Sequence, residues 1–158
     1  MYKLIRPLLF KIDPEVSHET MLSLCKIAGS LGLTGLAGQV FKFNHKSLET
    51  EVFGLKFHNP VGFAAGVDRN AIALNFLSAL GVGHIETGNV TALPRSGNPK
   101  PRLFRLEADD ALINRIGLNN YGADVLAQKL QKQNFSIPIG INIAKTHDPQ
   151  ILGDKAIA

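Results

Sequence analysis

The sequence predicts a parallel α/β protein preceded by a helical N-terminal extension. Three observations carry that expectation. From residue 47 onward, apolar runs of strand length alternate with segments of helical period. The runs Val61 to Ala64 and Ile137 to Ala144 are mostly apolar, as strands covered on both faces are, and Val82 to Thr87 is read as the strand between them. Polar residues gather at or just after their ends: Asp68 and Arg69, then Asn89 and Thr91, then Asn142, Lys145 and Thr146. Decoration at strand C-termini is how a barrel of β/α units builds a site, and a doubly wound sheet does the same at its switch point.

The elements follow in chain order. Leu4, Ile5, Leu8, Leu9 and Ile12 form a short helical stripe beside Lys3, Arg6 and Lys11, with Pro7 expected in the first turn. Asp13 is an N-cap, Pro14 the first helical residue and Glu15 a first-turn acid, so a second helix runs to about Ala28 with Gly29 as its stop. A third helix spans about Leu33 to Phe43. This basic, apolar extension, residues 1–46, either lies on a membrane surface or packs on the body of the protein. Residues 47–158 form the second unit. Glu51 to Phe57 reads as a hairpin turning near Gly54, Val61 to Ala64 as a strand, and Ala71 to Leu80 as a helix closed by Gly81. After the strand Val82 to Thr87, Leu93 to Pro101 is a Pro- and Gly-containing loop, Arg102 to Leu106 is extended, and Tyr121 to Gln133 is helical. The final strand is Ile137 to Ala144, and Lys155 to Ala158 reads as the start of a helix.

Composition narrows the function. Among 158 residues, 45% are hydrophobic and 19% charged, which suits a packed domain rather than a disordered chain. The net charge of +4 is spread along the chain, so no nucleic-acid groove is read from it, and a weak pull toward anionic groups remains. The single cysteine, Cys25, excludes an internal disulfide and reads as a core thiol. No apolar run reaches the ~20 residues of a membrane span, and no signal-peptide pattern opens the chain, so a reducing, cytoplasmic setting is expected.

No Walker loop, HExxH, paired CxxC or serine elbow is present, and Gly81-Val82-Gly83 precedes a strand rather than following one. His45, His58, His84 and His147 show no metal spacing, and His18 alone reads as a helix-packing histidine. Two features do point to a ligand. Asn59 to Asn70 ends a run of small residues, Gly62, Ala64, Ala65 and Gly66, where a flat or charged group can approach the backbone. Leu112 to Asn120 holds Asn114, Asn119 and Asn120; one would suffice to cap the following helix, and three suit a planar ligand with donors and acceptors. Asn142 lies inside an apolar strand, where an unpartnered amide costs ~1–3 kcal/mol, so a ligand or neighbouring polar groups must satisfy it. A ligand is the expected partner.

These residues also carry a resemblance. Asp13-Pro14-Glu15 with His18, Phe57 to Asp68, Gly97 to Leu106, Ile113 to Gly117 and Gly140 to Ile143, in this order, closely resemble quinone-dependent, membrane-associated dihydroorotate dehydrogenase. The resemblance covers essentially the whole chain and reaches only the N-terminal half or less of that family's sequence. It implies a (β/α)8 barrel, here incomplete with about three β/α units, that binds flavin mononucleotide, oxidises dihydroorotate to orotate and passes electrons to ubiquinone in pyrimidine synthesis. It implies that the N-terminal helices form a quinone tunnel on the membrane, on the cytoplasmic side of the inner membrane. By position, Ala65, Gly66, Val67, Asp68, Arg69, Asn89 and Asn142 fall on flavin sites. Arg69, Asn114, Arg115, Ile116, Gly117 and Leu118 fall on substrate sites, and His18 and Arg105 on the tunnel.

The chain departs from the family pattern at three of these places and at Ala144. The family has Lys where this chain has Arg69, Thr or Ser at Asn89, Phe at Leu118 and Gly at Ala144. Arg for Lys is not conservative at a fitted site. The family's catalytic-base serine falls beyond residue 158, and a third strand ending here would leave an apolar edge. The expectation is therefore a portion of the enzyme that is inactive alone. The competing expectations are a degenerate, non-catalytic remnant and a membrane-surface or partner-binding module.

Overall fold

The computed structural model describes residues 2–146. His147 and the expected helix start at Lys155 to Ala158 lie outside the described residues. Three helices come first: α1 (Tyr2–Leu9), α2 (Pro14–Ser30) and α3 (Thr34–Phe41). A hairpin follows, β1 (Thr50–Val52) and β2 (Leu55–Phe57), then β3 (Gly62–Phe63), α4 (Leu74–Ala79) and β4 (His84–Val90). A second hairpin, β5 (Leu103–Leu106) and β6 (Ala111–Asn114), precedes α5 (Ala123–Gln131) and β7 (Ile139–Ile143).

Strands β3, β4 and β7 form one parallel sheet in that order, with Phe63 opposite Ile85 and Ile85 opposite Ile139. Helices α4 and α5 make the crossovers. Leu74, Leu77 and Leu126 from these helices bury against Ile85 and Val90, and Leu22 of α2 joins the same core. Leu74 is 1% exposed, and full burial of such a side chain contributes ~1.5–3 kcal/mol. The opposite face carries Glu86 and Gly88 beside their register partners Gly140 and Asn142. This is a partial α/β fold, a parallel arc consistent with an incomplete barrel. Among the described residues β7 is paired on one side only, and Ile141 and Ile143 are 49% and 68% exposed.

The extension packs on the body and also keeps an apolar outer surface. Glu15 of α2 and Arg102 are 3% and 6% exposed and form an ion pair, Nη2 to Oε1 at 2.6 Å and Nε to Oε2 at 3.0 Å. Arg102 also donates Nη1 to the carbonyls of Ser96 and Asn98, so one guanidinium ties α2 to the loop that precedes β5. Leu4, Leu8, Leu36, Val40 and Phe41 remain more than half exposed on α1 and α3.

Several boundaries differ from the sequence reading. Pro7 sits near the end of α1, not in its first turn. The Asp13 cap is as expected: its carboxylate accepts from Glu15 N and Val16 N. Helix α2 does not stop at Gly29. Gly32, at φ +75°, takes the left-handed position, with its N–H on the Gly29 carbonyl and Leu33 N on the Ala28 carbonyl. Gly29 stays helical against Phe76. Helix α3 spans Thr34–Phe41 rather than Leu33 to Phe43. Helix α4 begins at Leu74 rather than Ala71, because Asp68 holds the intervening turn. Strand β4 runs past Thr87 to Val90 and includes Asn89. Strands β3 and β7 are shorter than expected, and α5 starts at Ala123. The β1–β2 hairpin turns at Phe53-Gly54 as expected, with Val52 opposite Leu55.

Candidate functional site

The loop after β3 is stitched to β4. Gly66 N donates to the Gly88 carbonyl at 2.8 Å, and Thr87 Oγ1 donates to the Asp68 carbonyl at 2.6 Å. Gly66 has φ +102°, and nothing lies within 4 Å of where a Cβ would stand, so its outer side is open. Asn89 Nδ2 donates to Asn142 Oδ1, and Asn142 Nδ2 donates to Glu86 Oε1 at 2.8 Å. Gly66, Asn89 and Asn142 thus come together at the C-terminal end of three neighbouring strands, with Ala65 and Val67 on the same loop. The expectation that a ligand satisfies Asn142 is corrected here. Glu86 and Asn89 already partner both ends of its amide.

The Asp68 carboxylate is committed to the backbone. The residue is 1% exposed, and its carboxylate accepts from Ile72 N at 2.8 Å and Ala73 N at 2.7 Å. It shapes the turn that carries Arg69 and Asn70. Arg69 donates Nη1 to the Gly66 carbonyl at 3.3 Å, and burial pulls its guanidinium pKa below the ordinary value.

The asparagine-rich stretch divides into two roles. Asn120 is 3% exposed and acts as a hub: Oδ1 accepts from Gly122 N, and Nδ2 donates to Thr91 Oγ1 and the Leu118 carbonyl. It is structural. Asn114 Oδ1 accepts from Ile116 N, and Arg115 reaches the Pro101 carbonyl at 2.9 Å. Ile116 is buried, while Gly117 and Leu118 have φ of +80° and +59°. Among the described residues no hydrogen bond joins residues 114–118 to Asn89 or Asn142. Asn120 ties the two groups together, since its Nδ2 reaches the Leu118 carbonyl at 2.7 Å and Thr91 Oγ1, just past β4, at 2.9 Å, while Asn70 Oδ1 accepts from Tyr121 N at 2.9 Å.

His18 and Arg105, far apart in sequence, line one cavity of about 700 Å³ between α1, α2 and the β5–β6 hairpin. Phe10, Met21 and Leu112 give it an apolar lining. Arg105 stacks on Phe10 at 4.7 Å and donates Nη1 to the Ile12 carbonyl at 2.6 Å. His18 also borders a second cavity of about 420 Å³, lined by Arg69, Arg95 and Asn119 among others. Burial is the main cause that lowers the His18 pKa, and the Arg69 charge adds to it. The imidazole is therefore held toward its neutral form. Cys25 is half-buried against the core, 3.6 Å from Met21 Sδ, and burial raises its thiol pKa.

Sequence reading missed Glu86, Phe10 and the Glu15–Arg102 pair. Glu86 carries a weaker signal, because it lies in the mostly polar stretch His84-Ile85-Glu86-Thr87, whereas Asn142 stands between Ile141 and Ile143. The ion pair had no local signal.

The comparisons with known proteins agree with one another. A family described as "Dihydroorotate dehydrogenase" matches residues 47–154. A "Dihydroorotate dehydrogenase (quinone)" of Stutzerimonas stutzeri is 48% identical over 151 residues, covering 96% of this chain and 43% of that protein. The protein of the same description from Pseudomonas syringae pv. tomato is 46% identical over the same shares. Among solved structures, a DHODH from Eimeria tenella in complex with ferulenol superposes with a TM-score of 0.61 at 37% identity, over 83% of this chain and 35% of that one. The chain spans less than half the length of the curated relatives it matches.

Proposed function

This chain belongs to the dihydroorotate dehydrogenase family, and on that premise we propose that it contributes the cofactor-facing and quinone-facing part of a quinone-dependent dihydroorotate dehydrogenase. The reaction is oxidation of dihydroorotate to orotate with ubiquinone as electron acceptor, in pyrimidine synthesis. The observation that carries this reading is the apolar cavity of about 700 Å³ that brings His18 and Arg105 together beneath the N-terminal helices. Its lining suits a lipophilic quinone, with Arg105 as a cationic donor.

The open side of Gly66 fits a flat ring laid on the backbone, with Ala65 and Val67 flanking it and Arg69, Asn89 and Asn142 nearby. Flavin mononucleotide, when bound there, supplies the hydride acceptor for dihydroorotate. Asn89 and Asn142 orient each other, and Glu86 fixes the Asn142 amide. Asn114, Arg115, Ile116, Gly117 and Leu118 form the substrate loop of this reading, with Asn114 as the pyrimidine contact and Arg69 touching both ligands. Residues 1–46 are the membrane-facing unit and residues 47–158 the barrel unit. No described helix is long and apolar enough to cross a membrane. The exposed Leu4, Leu8, Leu36, Val40 and Phe41 suit a surface contact with the inner membrane on its cytoplasmic side.

Dihydroorotate-dependent reduction of a short-chain ubiquinone, followed by orotate absorbance, tests the reading on the full-length protein. Turnover with co-purifying flavin is expected, and no orotate formation would overturn it. The 158 residues alone are expected to give no turnover; measurable turnover by them would sink that part. The exposed apolar helices favour a second reading, a membrane-surface module without chemistry. It predicts vesicle co-sedimentation with no orotate formed. Arg69 in place of the family's Lys favours a non-catalytic remnant, which predicts neither turnover nor bound flavin.

A further inference from the structure

The cavity of about 420 Å³ on the other side of His18 differs chemically from the apolar one. Arg69 and Arg95 both line it, and among the described residues neither forms an ion pair, whereas Arg6 and Arg102 do. Glu19 is at the same cavity, but its ion-pair partner is Lys100 at 3.9 Å. Arg69 is half-buried and makes one hydrogen bond, to the Gly66 carbonyl, which leaves most of its donor fork unused. The Arg95 side chain makes no hydrogen bond among the described residues. Asn119, on the same wall, has its Oδ1 buried without a partner. Partly buried guanidinium donors and a buried carbonyl oxygen are costly when unpaired, so the cavity is matched to a ligand that supplies both acceptors and a donor.

We propose that this cavity is a binding site for a phosphate group that keeps a P–OH, either inorganic phosphate, which retains one near neutral pH, or the monoanion of a phosphate monoester. Its charged oxygens accept from Arg69 and Arg95, and its P–OH donates to Asn119 Oδ1. Guanidinium groups suit such oxygens because they bond them in parallel pairs. A simple carboxylate would meet the two arginines but bring no donor to Asn119. A sulfate would do the same, since it carries no proton near neutral pH. The site shares Arg69 with the proposed flavin and substrate contacts. Arg95 and Asn119 have no part in that reading, so they separate the two.

The test is isothermal titration calorimetry of the full-length protein with inorganic phosphate, against sulfate at matched ionic strength. A parallel arm measures co-sedimentation with phosphatidylcholine vesicles containing either phosphatidic acid, a phosphomonoester, or phosphatidylglycerol, a diester. Saturable phosphate binding is expected, weakened about tenfold or more in Arg95→Gln. Asn119→Ala is expected to remove the preference for phosphate over sulfate. Arg95-dependent binding of phosphatidic acid vesicles without free-phosphate binding would assign the same chemistry to a lipid headgroup. Binding of neither, or equal binding by wild type and Arg95→Gln, overturns the site. Equal phosphate and sulfate affinity in the wild type overturns the role of Asn119. Orotate displacing phosphate in an Arg95-dependent manner would make the cavity part of the substrate site and overturn the proposal, whether or not the enzyme turns over.

Discussion

Glu15 Oε1 lies 2.6 Å from Arg102 Nη2, and both side chains are buried where α2 meets the loop before β5. Lys100 adds a second cation at 3.3 Å. Removing one partner of such a pair leaves the other charged and desolvated. Glu15→Ala is therefore expected to destabilise the protein by about 3–5 kcal/mol in urea denaturation, whereas Glu15→Leu with Arg102→Met is expected to be far milder. The Arg102 hydrogen bond is the main cause holding the Glu15 carboxyl below its ordinary value of 4.5. The native state then binds fewer protons than the unfolded state in that range. This contribution is fully present above about pH 4.5 and is lost as pH falls through the lowered native pKa. A denaturation series from pH 6 downward should show less acid loss in Glu15→Gln than in the wild type.

Asp68 holds two backbone N–H groups at the start of the α4 turn. Asp68→Ala should cost about 1–3 kcal/mol for each donor left unpaired. Asp68→Asn keeps one carbonyl oxygen and should lose less. If urea midpoints for both variants match the wild type, the carboxylate is not holding the turn.

Gly32 and Gly29 separate conformation from packing. Gly32 has open space around it, so Gly32→Ala tests backbone strain alone, at about 1–2 kcal/mol. Gly29 is helical and its added Cβ would meet Phe76 Cβ at 3.5 Å, an ordinary contact. Gly29→Ala should be neutral or stabilise by up to about 1 kcal/mol. Thermal melts of the two variants should shift in opposite directions, or only Gly32→Ala should shift.

Arg105 joins the α1–α2 connection and α2 to the β5–β6 hairpin, through Phe10 and Ile12 in the connection and Ser17 in α2. On the proposed function, Arg105→Ala in the full-length enzyme should raise the KM for quinone by about tenfold. The KM for dihydroorotate should stay within about twofold. Arg105→Lys should rescue only part, because it keeps the charge but loses the planar fork. Equal effects on both substrates would remove the assignment of this cavity to quinone.

The contrast between local and distant signals explains what was legible. Asp13-Pro14 predicts the start of α2 because the cap and the fixed proline φ act within one turn. The end of α2 was misread because either of two nearby glycines, Gly29 or Gly32, suits a stop. The choice between them follows from how α2 meets α4 and α3. Strand β6 was missed since Ala111 to Asn114 are all exposed and carry no alternation. Asn142 was rightly singled out as an amide needing a partner. That its partners are Glu86 and Asn89 follows only from the register of β4 on β7, which aligns Glu86 with Gly140 and Gly88 with Asn142. The backbone-holding roles of Asp68 and Asn120 are not legible in the sequence, because side chains that bond loop backbone have the same chemistry as side chains that bond a ligand.

The Glu15–Arg102 clamp spans 87 positions of chain. On a ribosome adding ~5–20 residues per second, Glu15 emerges roughly 4–17 s before Arg102 does. Through that interval α2 has no buried counter-ion and no body to cover Leu22. The nascent helices meet the surrounding water, or a nearby lipid surface, before they can meet the sheet. Order of synthesis therefore leaves the apolar faces of the N-terminal helices uncovered until the core that buries Leu22 exists.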